Sequence, residues 1–257
     1  MTATIPLALG RFPRSATDAD LFPDDRGTIT LDRATLLDKG VFGFERGDPR
    51  AAPFSMLRSQ LLQRLDHGRT RVVAVTSTQA RNGKSFVALN LAAALGRIHP
   101  ALLIDLDLRR PVIGERLGLP DAGSGVDRFL LGESDLREIR CGVGEHQLGV
   151  FPVAEARMDS AEILASDRTV QLFASLRAYP HAPVCIIDAP PILEGDDMMI
   201  LAPHVDGILL VVEEGRTRQA DLRESLRMLR PTPILGTVLN RAILPQRSFG
   251  YGQYYPR

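Results

Sequence analysis

Residues 76–86, TSTQARNGKSF, set a lysine and a hydroxyl side chain behind a glycine, where an apolar run gives way to a helical one. That order suits phosphate. Backbone amides at a helix N-terminus wrap the oxygens, Lys84 reaches the terminal phosphates, and the Ser85 hydroxyl takes a magnesium ion. Thr78 stands in place of the first glycine of G-x-x-x-x-G-K-[ST], and Gln79, Ala80, Arg81 and Asn82 fill the loop before Gly83. If one of these four has to adopt a positive φ, its side chain costs about 1–2 kcal/mol, and Asn82 tolerates that best. Nucleotide binding is then weakened rather than lost, with Arg81 offering a compensating cation beside the phosphates. The candidate nucleotide contacts are Arg81, Asn82, Gly83, Lys84, Ser85 and Phe86, joined by Asn240, whose amide follows the run GTVLN and suits an adenine edge.

Acidic residues stand where such a loop needs them. In LLIDLDLRRP, Asp105 and Asp107 fall on the same side of an extended chain, at the carboxyl edge of a strand where ligands bind in open sheets. They suit magnesium and proton abstraction. In CIIDAPP, Asp188 follows an apolar run as a Walker B carboxylate does, able to hold the water shell of a metal. Asp196 and Asp197 follow without an assigned purpose. A third feature lies at the other end of the chemistry: Tyr251, Tyr254 and Tyr255, three of the four tyrosines, sit in the Gly-rich tail SFGYGQYYPR. A phosphate loop and an aromatic cluster with no core to fill suggest an ATP-using enzyme whose own C-terminus is a substrate.

The elements that would position these residues are legible as apolar runs at 71–76, 101–105, 148–152, 184–188, 207–213 and 234–239, each followed by a helical or loop stretch. Strands buried on both faces and alternating with helices imply an α/β fold with a mostly parallel sheet flanked by helices. Val87, Leu91, Leu95 and Ile98 mark one face of the helix after the phosphate loop; Phe54, Leu57, Leu61, Leu62 and Leu65 mark a helix that opens the compact domain. Residues 1–50 read as an arm, partly disordered, with a short helix near 31–38; residues 51–243 form the nucleotide-binding domain, and 244–257 the flexible tail. Lys plus Arg equals Asp plus Glu at 31 each, so no global field favours nucleic acid. Cys141 and Cys185 lack metal spacing and read as buried thiols of a reducing cytoplasm. No run approaches the ~18 apolar residues of a membrane span, and the N-terminus lacks a signal-peptide pattern, so a membrane role is expected to need a partner.

Taken together, TSTQARNGKS, LLIDLDLRRP, GLPDAGSGVDRFLLGE, CIIDAPPILEGDD, VDGILLVVEEGRT, ILGTVLN and the tyrosine tail resemble the cytoplasmic kinase domain of bacterial tyrosine kinases of capsule and exopolysaccharide synthesis, a branch of the MinD/ParA-like P-loop proteins. The resemblance covers roughly residues 54–257, and LDRATLLDKGVF looks like the segment preceding the kinase in relatives found with exosortase-linked polysaccharide loci. It implies a P-loop three-layer sandwich, ATP and Mg2+ as substrate and cofactor, and transfer to tail tyrosines between subunits of a ring. It assigns Lys84 and Ser85 to phosphate and magnesium, Asp105 to activation of the tyrosine hydroxyl, Asp107 and Asp188 to the metal, and Arg109 to the Walker A′ motif. A membrane-anchored activator of the polysaccharide co-polymerase type is implied as partner, placing the protein at the inner face of the membrane. Gln79 stands where the partitioning ATPases carry their signature lysine, which favours the kinase branch.

The departures bear on turnover and assembly. The family's loop usually reads P-G-x-G-K-S, where this chain has Ala80, Arg81, Asn82, Gly83, Lys84 and Ser85. Its oligomerising pattern E-x-x-R-x-x-R falls on Ala52, Ser55 and Arg58, so only the last arginine is kept and the usual ring is in question. The competing expectation is an ATP-binding assembly switch of the polysaccharide machinery without kinase activity.

Overall fold

The computed structural model describes residues 28–65, 71–119, 125–143, 146–179 and 183–242; Tyr251, Tyr254 and Tyr255 lie outside them. The strands are β1 (Thr28–Ile29), β2 (Arg71–Ser77), β3 (Ala101–Asp105), β4 (Cys141–Val143), β5 (Leu148–Phe151), β6 (Val184–Asp188), β7 (Gly207–Glu213) and β8 (Ile234–Asn240). They form one sheet in the order β1-β4-β5-β3-β6-β2-β7-β8. Neighbours run parallel except β4 and β5, which pair antiparallel. All six apolar runs are strands. The additions β1 and β4 are two and three residues long, too short for any periodicity to announce them.

Side chains alternate across this sheet and fill two cores, which makes the fold a three-layer sandwich. Val73, Val75, Leu103, Ile186 and Val211 face helices α2 (Ala52–Arg64) and α3 (Lys84–Gly96). Val72, Ala74, Leu102, Ile104, Cys185 and Ile187 face the opposite layer, which includes α8 (Asp167–Arg177) and α9 (Asp197–Leu201). Between the labelled elements lie α1 (Arg33–Asp38), α4 (Ile113–Leu117), α5 (Val126–Leu130), α6 (Leu136–Ile139) and α7 (Ser160–Leu164), with α10 (Gln219–Met228) after β7. The helix after the phosphate loop departs from its expected amphipathic face. From Val87 to Leu95 every apolar side chain of α3 is buried, while Ile98 lies past the helix end and is 49% exposed. Both cysteines are buried thiols outside any disulfide. No helix among the described residues is long and apolar enough to cross a membrane.

The stretch expected to be an arm is, from Thr28 onward, seated on the domain. β1 extends the sheet beside β4, and Leu36 and Val41 are buried in the core that holds α3. Asn90, in the middle of α3, fastens this stretch with its whole hydrogen-bonding capacity. Its Oδ1 accepts from the amides of Phe42 (2.6 Å) and Gly43 (2.9 Å), and its Nδ2 donates to the carbonyls of Gly40 (3.0 Å) and Phe86 (2.9 Å). Gly43 lies so close to α3 that a Cβ there would overlap the Asn90 carbonyl, so no other residue fits. Phe86 packs edge-on against both Phe42 (6.3 Å between centroids) and Phe54 (5.4 Å). Short apolar clusters therefore suffice here because a helix of the main domain supplies the missing face. Replacing Asn90 with Ala leaves three backbone groups outside α3 without their partner, and is expected to cost about 2–3 kcal/mol in urea unfolding. Limited proteolysis should then cut near residues 40–47 in the variant before the parent is cut at all.

Candidate active site

The sheet order brings the chemistry to one edge. β2 delivers the phosphate loop, β6 beside it delivers Asp188, and β3 beyond that delivers Asp105, which is the register partner of Asp188. Gly83 caps α3 with φ 94°, and a Cβ on it would overlap the Asn240 side chain, so the glycine before the lysine is obligatory on two counts. The other left-handed position in the loop is Arg81, at φ 67°, not the more tolerant Asn82. Asn82 is needed elsewhere. Fully buried, its Oδ1 accepts from the Gln79 amide (3.1 Å) and the Thr78 hydroxyl (3.3 Å), and its Nδ2 donates to Glu213 Oε2 (3.1 Å). Its side chain staples the loop from within.

Lys84 is buried, with Nζ 2.6 Å from Asp107 Oδ2, 3.4 Å from Asp188 Oδ1 and 3.0 Å from Ser85 Oγ. Burial opposes its charge, yet the carboxylates of Asp188 and Asp107 overcome that and raise its pKa above the usual lysine value. The acids pay for this closeness in opposite coin: burial pushes Asp188 up, against the pull of Lys84 and Ser85, and burial together with the Asp188 charge pushes Asp105 well above the carboxylate range. Asp188 Oδ2 is buried without a hydrogen-bond partner, an expensive state for a carboxylate oxygen and one that a ligand at this point would relieve.

Asp105, expected as acceptor of a phenol proton, is engaged by backbone amides. Fully buried, it accepts from the amide of Asp107 (3.2 Å) with Oδ1 and from those of Val112 and Ile113 (3.2 Å each) with Oδ2. It holds the turn that aims Asp107. Asn240, expected at an adenine edge, instead donates from Nδ2 to the Asn82 carbonyl at 2.8 Å and locks the loop while still lining the cleft. Arg109 turns away from the phosphate loop: its Nε donates to Ser160 Oγ (2.6 Å) and Nη2 pairs with the buried Asp197 (3.2 Å), which gives Asp197 its purpose. Phe86 lines the cleft and carries the 40–43 stretch on its other side.

The cleft over the loop has a volume of about 1090 Å³ and a cationic wall: Arg81, Lys84, Arg110, Arg116, Arg216 and Arg241 all line it. Arg110 is paired with Glu194 (3.0 Å), and Arg216 and Arg241 with Glu213 (3.6 and 2.8 Å), whereas Arg81 and Arg116 have no carboxylate partner among the described residues. Glu194 also accepts from the Ala80 amide, tying the phosphate loop to the turn after β3. Neither glutamate carried a sequence signal, since each acts across more than a hundred residues from the loop it braces.

No family model matches the chain. The tyrosine-protein kinase YwqD of Bacillus subtilis (strain 168) is 32% identical over 187 residues, which cover 71% of this chain and 76% of YwqD. The chain belongs to the bacterial tyrosine-protein kinase family. The VpsO kinase domain superposes with a TM-score of 0.68 at 29% identity, over 82% of this chain and 97% of that one. MinD of Pyrococcus horikoshii OT3, solved with Mg-ADP, shares the fold at a TM-score of 0.57 and 22% identity, over 69% of this chain and 73% of its own. The chain spans about a quarter of the length of several curated relatives it matches, among them the succinoglycan biosynthesis transport protein ExoP of Rhizobium meliloti (strain 1021), 33% identical over 189 residues, or 70% of this chain and 23% of ExoP. Arg81, at the place expected for a glycine of the loop pattern, adopts the positive φ that a glycine meets without strain.

Two substitutions follow from this geometry. Arg81→Gly relieves about 1–2 kcal/mol of left-handed strain against about 0.5–1 kcal/mol of added backbone entropy, so stability in urea should rise by about 0.5–1 kcal/mol. Nucleotide affinity, measured by calorimetry, should nonetheless fall with the loss of the unpaired cation. Lys84→Met leaves a cluster of buried carboxylates without its counter-charge and should cost about 3–5 kcal/mol near pH 8. Because Asp105 and Asp188 titrate above their unfolded values, the folded state binds protons more tightly than the unfolded one. Their contribution is therefore favourable in acid and lost as pH rises through the folded values, and the deficit of the variant should shrink when unfolding is repeated near pH 5.5.

Proposed function

We propose that this chain is an ATP- and magnesium-dependent tyrosine kinase that phosphorylates tyrosines of its own C-terminal segment and thereby controls polymerisation and export of an extracellular polysaccharide. The observation that carries the reading is the Lys84 ion-pair cluster at the mouth of the phosphate loop. Lys84 rests on Asp107 and Asp188, as a cation does that must be exchangeable for a triphosphate.

The residues present fit a magnesium ion. Asp188 has an unpartnered buried oxygen, and Ser85 Oγ lies beside the same lysine. Ser85 and Asp188 would hold the ion, which would supply positive charge against that of the phosphates. The rest falls to the protein. Lys84 leaves Asp107 for the terminal phosphate, with Arg81 and Arg116 as further cations on the cleft wall. Asp107, freed, accepts the phenol proton as the tyrosine oxygen bonds the terminal phosphorus; the bond from that phosphorus to its bridging oxygen breaks, and the electron pair leaves with ADP. Each phosphotyrosine adds about −1.5 to −2 charge, enough to alter assembly through repulsion. Arg58, the surviving arginine of the ring pattern, donates to the Ala94 carbonyl of its own chain (3.2 Å), which supports a weakened ring and a larger role for a membrane-anchored activator.

Mass spectrometry of the purified chain after incubation with ATP, magnesium and the cytoplasmic segment of such an activator tests the proposal. Phosphate on Tyr251, Tyr254 or Tyr255 is expected, absent when all three are changed to Phe and reduced at least a hundredfold, about 3 kcal/mol of transition-state stabilisation, in Lys84→Met. An unmodified tail in a chain that binds ATP would replace the kinase with a non-catalytic assembly switch.

A further inference from the structure

Two acids line the nucleotide cleft, Asp107 and Glu194. Asp107 rests on Lys84, whereas Glu194 ends the short turn Ile192–Glu194 after β6 and takes two partners from different elements. Its Oε1 accepts from the backbone amide of Ala80, inside the phosphate loop, and its Oε2 accepts from Arg110 Nη1 at 3.0 Å. Ala80 and Arg110 line the cleft as well. One oxygen on a loop amide and another on a guanidinium is how a phosphate group is held, so the carboxylate sits on two donors that a nucleotide would use.

A brace and a stand-in for phosphate make different demands. The turn is fastened to the loop strand without the carboxylate: the Leu193 amide donates to the Thr78 carbonyl (3.1 Å), and the Thr76 hydroxyl donates to the Pro190 carbonyl (2.6 Å). Asn82 and Asn240 hold the loop from its other sides. The loop therefore keeps these fastenings when Glu194 lets go. The pair is also open to water, with the side chain of Glu194 34% exposed and that of Arg110 65% exposed. Ion pairs this exposed are weak and exchange their partners readily, unlike the buried contact between Lys84 and Asp107.

We propose that Glu194 is an internal competitor of the nucleotide. In the empty cleft it occupies the Ala80 amide and Arg110; phosphate oxygens displace it, and Arg110 then joins Lys84, Arg81 and Arg116 on the ligand. The proposal rests on the reading of the cleft as a nucleotide site and does not depend on phosphoryl transfer. Its consequence is a chain that holds nucleotide less tightly than its cationic wall allows.

Calorimetry of magnesium–ATP and magnesium–ADP binding to the full chain tests this by sign. A residue that only braces the loop, or holds the metal, loses affinity on substitution; a competitor gains it. Glu194→Gln keeps an acceptor for the Ala80 amide and removes the charge. It should bind both nucleotides about tenfold more tightly at low ionic strength, with the gain shrinking in about 0.5 M salt and the melting temperature little changed. In an Arg110→Ala background the same substitution should gain less than about threefold, since the released guanidinium supplies much of the effect. Equal or weaker binding by Glu194→Gln, or a full gain without Arg110, would overturn the proposal. A parent and variant that both fail to bind nucleotide would defeat the nucleotide reading and the competitor with it. A tighter-binding Glu194→Gln chain that phosphorylates nothing would keep the competitor and defeat the kinase reading instead.

Discussion

Burial of Lys84 among Asp107, Asp188 and, one strand further, Asp105 is the constraint around which the rest is built. A buried ammonium is tolerable only with anions at contact distance, and three buried carboxylates are tolerable only with a cation among them. The carboxylates raise the proton affinity of Lys84, and Lys84 lowers theirs against the effect of burial, while the cluster remains short of one partner at Asp188 Oδ2. The parallel register of β3, β6 and β2 is what brings these groups to one spot. A shift of one residue in β3 or β6 would turn a carboxylate from the ligand edge into a core.

Around that centre the phosphate loop is braced from several directions by polar contacts of long sequence separation. Asn240 holds its carbonyl side, Glu213 its buried asparagine, Glu194 its outer amide, and Gln79 donates to Asp221 of α10 at 3.1 Å. This bracing explains how a loop without its usual glycine keeps its path. Strain at Arg81 is small beside the summed contacts that hold the neighbouring residues, and a left-handed arginine presents its guanidinium to the cleft.

Much of the fold was legible because it rests on local pattern. Apolar runs of five to seven residues, buried on both faces, can hardly be other than central parallel strands, and a GKS at the start of a helix marks the phosphate end. What was not legible depends on partners distant in sequence. Asp105 and Asp107 look equivalent two residues apart, yet the amides of Val112 and Ile113 claim one and leave the other facing the cleft. Asn82 seemed the natural left-handed residue, but its amide is spent on Glu213, so the strain passes to Arg81. Residues 28–50 looked unable to bury a face because Asn90 and the aromatic pair around Phe86 belong to another element.

The two-residue strand β1 has a further meaning for how copies of this protein meet in a crowded solution. It covers the side of β4 that would otherwise offer free amides and carbonyls, and it is itself too short to template another strand. The sheet is thereby closed to edge-to-edge growth at that side by a piece of chain that Asn90 keeps in place. At that side, contacts between copies would have to be made by side chains and not by backbone pairing.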